Sequence, residues 1–246
     1  MVFRNKSGKL SRRTLIIIVG AIIIGGTVIG IYLFSRFSSN DYSNGEIVIL
    51  KDDDFTKEEY NLPGTGTEID PYRIENRVIV TERFYCIWIA ETTNHFVIKN
   101  CTLSSYVTIY INSVATGTCT IINNTLLLRS GDNTGIAIDQ TPHSVVTMNI
   151  IKCANRDNSG YGITVFESSY ASITNNYCEN ITYGIQCWSE STNIVISQNY
   201  CIECLIGIMI DSETWFLSGI EHDVYMSIQT ITNNTCLYNE IGIYFY

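Results

Sequence analysis

The sequence predicts an all-β solenoid of about seven rungs, a coil of short strands with each turn lying on the one before, behind a single apolar N-terminal helix. Two observations predict the coil. The first is a recurring frame: "ITNNYCENITYGI" (173–185), "ISQNYCIECLIGI" (196–208) and "ITNNTCLYNEIGI" (231–243) share a leading Ile, Asn fourth, Cys sixth, Gly twelfth and Ile thirteenth. The second is that each copy contains short β-branched alternations such as "GITV", "GIMI" and "GIAI", and none of the three-and-four spacing that a helical repeat would need. The helix rests on a third observation, the run "LIIIVGAIIIGGTVIGIYLF" over residues 15–34, which carries no charge.

Twenty uncharged residues rising 1.5 Å each match a hydrocarbon core of about 30 Å. Arg4, Lys6, Lys9, Arg12 and Arg13 precede the run and Arg36 follows it, a bias that holds the N-terminus in the cytoplasm and sends the rest outside. The run exceeds a signal-peptide core and no small-residue cleavage pattern follows, so an uncleaved anchor is expected. The expected division is a basic cytoplasmic tail (1–14), a transmembrane helix (15–34), a linker (35–45), an N-terminal cap (46–71) and the repeats (72–246). Residues 37–246 hold nine basic against 24 acidic residues, a net charge of −15, which argues against a nucleic-acid partner.

The frame extends backwards with less fidelity. "VIKNCTLSSYVTI" (97–109) fits without the Gly, whereas "IINNTLLLRSGDNTGI" (121–136) and "VTMNIIKCANRDNSGYGI" (146–163) carry three and five extra residues before it. An earlier turn is expected over Tyr72–Thr93. Strands that recur every 23 to 27 residues, and once after 35, with turns too close for intervening helices, must point the same way and pair with their equivalents one repeat on. In this reading Val97, Ile121, Val146, Ile173, Ile196 and Ile231 stack inward. Asn100, Asn124, Asn149, Asn176, Asn199 and Asn234 occupy a tight bend, where left-handed φ suits Asn and stacked amides bond as a ladder. Thr102, Leu126, Ile151, Cys178, Cys201 and Cys236 form a second inward column. Cys alternates there with aliphatic residues and is therefore expected to be a small, buried, free hydrophobe, although nine Cys outside a membrane would ordinarily suggest disulfides.

At this point the chain resembles the right-handed parallel β-helix proteins with Asn-rich repeats of about 22 residues, grouped with carbohydrate-binding and sugar-hydrolysing β-helices of the pectin lyase-like fold. The likeness covers roughly residues 46–246 and includes the opening "PGTGTEIDPYRIE" (63–75). It implies a single-stranded right-handed parallel β-helix preceded by one transmembrane α-helix. It also implies three activities: glycan binding, polysaccharide lysis or hydrolysis, and copper delivery as in the periplasmic copper-binding β-helix proteins. Polygalacturonases of this fold would require clustered Asp with Gly-His-Gly and a basic motif, and pectate lyases an Arg or Lys base beside Ca²⁺ ligands. The sequence offers neither. His95, His143 and His222 are isolated, and Met209 with His222 gives slender support for copper.

Three places are candidates for chemistry. Outward residues of the "GIxI" strand give the column Trp88, Tyr110, Ala137, Thr164, Gln186, Met209 and Tyr244, followed by Glu91, Asp139, Glu167, Glu190, Asp211 and Glu213. Aromatic rings beside carboxylates suit a sugar, or a hard cation such as Ca²⁺. Carboxylates two rungs apart would lie about 9.6 Å apart, near the limit for inverting glycosidases. The insertions "RSGDNT" (129–134) and "NRDNSG" (155–160) are expected to bring Arg129, Asp132, Arg156 and Asp157 into a polar clamp. The longest insertion, "DSETWFLSGIEHDVYMS" (211–227), offers Trp215, Phe216, Tyr225, Glu221, His222 and Asp223. Solvated acidic corners, surface ion pairs and aromatics folded onto the coil are the plain alternatives.

Sequons start at Asn100, Asn123, Asn180 and Asn233, with Asn100 expected in the inaccessible ladder and Asn180 the most exposed. The last strand, "GIYFY", has no polar cap, which leaves either further chain or another molecule at that end. The expected function is a membrane-anchored extracellular module for surface recognition or scaffolding, probing glycans or other surface proteins without catalysis and without a required cofactor. A tethered lyase or hydrolase and a metal-delivery protein are the alternatives.

Overall fold

The computed structural model describes residues 45–129, 131, 133–154, 160–188, 191–211 and 229–246 of the 246-residue chain. The expected membrane helix at 15–34 lies outside these residues, among which no helix is long and apolar enough to cross a membrane. The described chain is a right-handed parallel coil. Three sheets wrap it. The first contains Tyr72–Glu75, Phe96–Lys99, Cys119–Ile122, Val145–Thr147, Ser172–Thr174, Val195–Ser197 and Thr230–Thr232. The second contains Val78–Val80, Thr102–Ser104, Thr125–Leu128, Ile150–Cys153, Tyr177–Glu179, Tyr200–Ile202 and Thr235–Leu237. The third has eight strands: Ile47–Ile49, Tyr85–Ala90, Val107–Asn112, Thr134–Asp139, Tyr161–Phe166, Tyr183–Cys187, Ile206–Ile210 and Ile241–Phe245.

Every pairing is parallel and joins one turn to the next, so equivalent residues become columns. Ile74, Ile98, Ile121, Val146, Ile173 and Ile196 stack within the first sheet and are fully buried. Opposite them run Ile79, Leu103, Leu126, Ile151, Cys178 and Cys201. Each buried Ile contributes about 1.5–3 kcal/mol, and it is buried only because the turns above and below cover it.

Two columns differ from the sequence expectation. Ile98, not Val97, aligns with Ile121, and Leu103, not Thr102, aligns with Leu126. The stretch from Leu103 to Ile109 is one residue shorter than that from Cys178 to Ile185, so a frame anchored on Ile109 starts one residue early. For the same reason Asn100 is not a ladder residue. Cys101 holds that place, its N–H donating 2.9 Å to Asn124 Oδ1 and its thiol donating to Ile74 O, and Asn100 is exposed.

The ladder proper runs through Asn124, Asn149, Asn176, Asn199 and Asn234. Asn176 illustrates it. Its Oδ1 accepts the backbone N–H and the side-chain amide of Asn149, each at 3.0 Å. Its Nδ2 donates to Val146 O one turn back and to Asn199 Oδ1 one turn on, at 2.9 and 3.1 Å. The left-handed residue is not the ladder Asn but its predecessor: Asn76, Asn100, Asn123, Met148, Asn175, Gln198 and Asn233 all have φ of 55–58°. One exposed residue turns the chain, and the next points inward.

Glycine is required by close approach in the third sheet. A Cβ on Gly162 would meet Gly184 O at 2.3 Å and Cys178 Sγ at 2.9 Å. All nine Cys are free, eight of them buried and Cys236 half-buried. Burial pushes the Cys119 and Cys187 thiols up to about 12. These thiols are packing groups that do not ionise near neutrality.

The N-terminal segment closes the first turn. Ile47–Ile49 pairs with Ile87–Ile89, and Phe55, on a 3₁₀ turn at Asp52–Thr56, stacks on Tyr72 with centroids 4.7 Å apart. Burial opposes ionisation of Asp52, but hydrogen bonds from Thr92, Thr93 and Asn94 outweigh it and hold the carboxyl below its ordinary range.

Asn176→Ala is expected to destabilise the coil by about 3–5 kcal/mol, because it strands the buried Asn149 N–H and Val146 O, whereas Asn175→Ala at the exposed bend costs about 1–2 kcal/mol. Urea unfolding of the two variants measures both. A thiol reagent applied to the native protein should label Cys236 first and leave the other eight thiols unmodified until unfolding.

Candidate functional site

The outer face of the third sheet carries a cluster of aromatic side chains bordered by polar ones. Strand pairing puts Trp88, Tyr110, Ala137, Thr164, Gln186, Met209 and Tyr244 in one continuous column. At its N-terminal end Tyr85 joins Trp88 and Tyr110. Tyr85 lies 5.1 Å from Trp88 and 5.6 Å from Tyr110 between ring centroids, and Trp88 lies 6.3 Å from Tyr110. Phe84 and Tyr106, both exposed, extend this wall at the preceding corner, 6.3 Å apart.

Polar groups border the rings. Tyr110 and Asn112 both donate to Asp139 Oδ2, at 3.2 and 3.0 Å. The other carboxylate oxygen, Oδ1, is buried without a partner among the described residues, and so is the Trp88 indole N–H. A half-buried aromatic surface therefore has one unmatched acceptor and one unmatched donor, on strands either side of Tyr110. Burial raises the Asp139 carboxyl above its ordinary range, the nearby Glu167 charge adds to the shift, and the bonds from Tyr110 and Asn112 oppose it. Burial, followed by the Asp139 charge, pushes the Tyr110 phenol up to about 12.

The four predicted carboxylates among the described residues, Glu91, Asp139, Glu167 and Asp211, do not form one stripe. Glu91 and Glu167 stand with Ser113 and Gln140 at a left-handed corner. Ser113 bonds Gln140 at 2.9 Å, and Gln140 donates 2.7 Å to Glu167. Asp139 stands one position earlier, in register with Asn112 and Phe166. Asp211 is buried and follows Ile210, which pairs with Cys187, so Phe166 and Trp188 intervene between it and Asp139. Corner lengths vary between turns, and an offset of one residue decides whether a side chain lies on the sheet or on the bend. Glu190 and Glu213 lie outside the described residues.

Of the expected polar clamp, only Arg129 lies among the described residues. Arg129 pairs with Glu82 of an earlier turn, while Asp132, Arg156 and Asp157 lie outside the described residues. The same holds for Trp215, Phe216, Tyr225, Glu221, His222 and Asp223. His143 stacks on Tyr170 at 4.7 Å. Met209 sulfur accepts the Gln186 amide at 3.6 Å, and no group of three His, Cys, Asp or Glu among the described residues is placed to hold a metal ion.

Sequence reasoning missed Tyr85 and Asn112. Simple alternation from Trp88 would put Ile87 inward and Cys86 outward, but both are buried, and this restores Tyr85 to the outer face. Tyr161 and Tyr183, stacked at 5.2 Å just before Gly162 and Gly184, were the available signal that this position faces out.

Three parallel sheets coiled about one core, with an aromatic and carboxyl surface on the third, define a parallel β-helix. Two overlapping stretches, residues 35–200 and 107–246, match the family model described as the right handed beta helix region, and the chain belongs to that family. No curated protein and no solved structure gives a match.

Asp139 has a folded pKa above its unfolded one. Its contribution to stability is full at pH below the unfolded value and is lost as pH rises through the folded value. Relative to Asp139→Asn, the wild-type protein should therefore lose stability across and just above the ordinary carboxylate range, and the difference should then level off. Urea unfolding of both proteins over a pH series tests this.

Proposed function

We propose that this chain is an exported, membrane-tethered recognition module that holds a glycan on the outer face of its third sheet without cleaving it. The observation that carries the reading is the cluster of Tyr85, Trp88 and Tyr110 on the outer face, bordered by Asn112 and Asp139. Sugar rings present an apolar face to aromatic side chains and hydroxyls at their edges, which donate and accept in the plane of the ring. Tethering rests on the uncharged run at 15–34 and its basic flank. The family match supports the coil and leaves the ligand to the face itself.

A second reading, a tethered lyase or hydrolase, draws on one observation. Burial raises the Asp139 carboxyl above its ordinary range with the Glu167 charge adding to it, and neighbouring carboxyls whose affinities for the proton are pushed apart are what an acid and base pair needs.

The full chain, incubated with a panel of neutral and acidic polysaccharides, is expected to be retained by at least one of them. Trp88→Ala should weaken that retention about tenfold or more, as loss of a central aromatic anchor does. No new reducing or unsaturated ends should appear. New ends that vanish in Asp139→Asn would establish the second reading, and a panel that neither retains the chain nor yields new ends would remove both.

A further inference from the structure

The bend between the first and second sheets is a column of exposed left-handed residues running the length of the coil. Three of them, Asn100, Asn123 and Asn233, each with φ 55°, open the sequences Asn-Cys-Thr, Asn-Asn-Thr and Asn-Asn-Thr. The bend explains the Asn, since Asn76 and Asn175 occupy it without the triplet. It does not explain the Thr. Thr102, Thr125 and Thr235 stand in register with Val78, Ile150, Tyr177 and Tyr200, so the coil accepts an aliphatic or aromatic residue there equally well. Asn180 is different, being half-buried and on the next bend, which borders the third sheet.

The geometry points to this bend as an N-glycosylation edge, at which Asn233 and one of the pair Asn100 and Asn123 accept an oligosaccharide from a lipid-linked phosphate donor. The inference rests on the export proposed above. In the transfer a bond forms between Asn Nδ2 and C1 of the first sugar as the C1–O bond to the donor phosphate breaks. The phosphate leaves with the electron pair, and one amide proton is released. Asn100 and Asn123 are one turn apart, about 4.8 Å, and Asn123 Nδ2 donates 2.8 Å to Asn100 Oδ1, so two branched oligosaccharides cannot both start there. In a coil of three sheets, the edge between the first and second is opposite the third. Glycans on it leave the Trp88 and Tyr110 face open, whereas a glycan on Asn180 would crowd that face.

The test expresses the full chain through a glycosylating secretory host with a C-terminal tag carrying its own sequon, and maps occupancy by intact and peptide mass spectrometry. Two glycans per chain are expected on the coil, one at Asn233 and one shared between Asn100 and Asn123. Thr125→Val, which keeps the corner Asn and mimics Val78, should abolish modification of Asn123 and raise occupancy of Asn100, and Thr235→Val should clear Asn233 alone. A modified tag with bare Asn100, Asn123 and Asn233 would overturn the inference while leaving export standing. A bare tag would overturn the export reading and this inference with it, and chains carrying glycans on both Asn100 and Asn123 would overturn the mutual exclusion.

Discussion

The structure depends on how a bend in a parallel coil satisfies its own backbone. At each corner the chain reverses away from its sheet, and the N–H that follows the left-handed residue points into the core, where water cannot reach it. The coil supplies an acceptor from the next turn. Asn149 Oδ1 takes the N–H of Asn124, Asn176 that of Asn149 and Asn199 that of Asn176. The second bend uses the same device once, with Asn239 Oδ1 accepting from Cys204 N at 2.7 Å. The third uses hydroxyls: Ser168 Oγ accepts from Thr141 N and Ser191 Oγ from Ser168 N, each at 3.0 Å. An unmade bond of this kind costs about 1–3 kcal/mol, so the ladder bend is fixed as an exposed left-handed residue followed by an inward polar one from Asn123–Asn124 onward.

That constraint also decides where recognition residues can stand. With bends and inward columns committed, only outward strand positions and bend tips are free to vary. On the third sheet the outward column changes from Trp88 and Tyr110 through Ala137 and Thr164 to Gln186 and Met209, while the inward residues beside it remain Ile or Val up to Cys187. Stacking at about 4.8 Å brings Tyr85, Trp88 and Tyr110 within ring contact without any loop having to fold over. The face is preorganised because it is made of the scaffold.

Most of the coil was legible in the sequence because its columns have chemical signatures. Ile173, Asn176, Cys178 and Gly184 each answer a different demand: an apolar core, a buried N–H, a narrow space beside glycine, and the passage of one backbone over another. Where a demand can be met in two ways, the sequence misleads. Cys101 replaces a ladder Asn because a thiol can also donate to a carbonyl, and the visible Asn100 one position earlier drew the frame out of step. The carboxylates were harder. Acids at bends are under no packing demand, so Glu167 and Asp139 look equivalent in sequence while one turns a corner and the other lies half-buried under Tyr110. Tyr85 escaped because the strand buries Cys86 and Ile87 in succession, which breaks the period of two.

The unmatched atoms on the third sheet gain meaning from the way a solenoid distributes stability. Each turn contributes its own burial and its own contacts with two neighbours, so a local penalty is set against the surrounding turns and not against a single cooperative core. The turns carrying Trp88, Tyr110 and Asp139 are flanked by fully buried Ile87, Ile109, Ile136 and Ile163. At about 1.5–3 kcal/mol for each Ile, that column exceeds the cost of one raised carboxyl and one unpaired indole. The coil can therefore hold these groups in unfavourable surroundings without distorting the strands that carry them. Elsewhere the same surroundings have been neutralised: Lys99 meets Glu75 at 2.9 Å, Lys152 meets Glu179 at 2.7 Å, and the buried ladder amides bond above and below. Seven buried side-chain atoms of the described residues have no partner, Asp139 Oδ1 and Trp88 Nε1 among them, and the turns around each carry that cost without a change in the strand register.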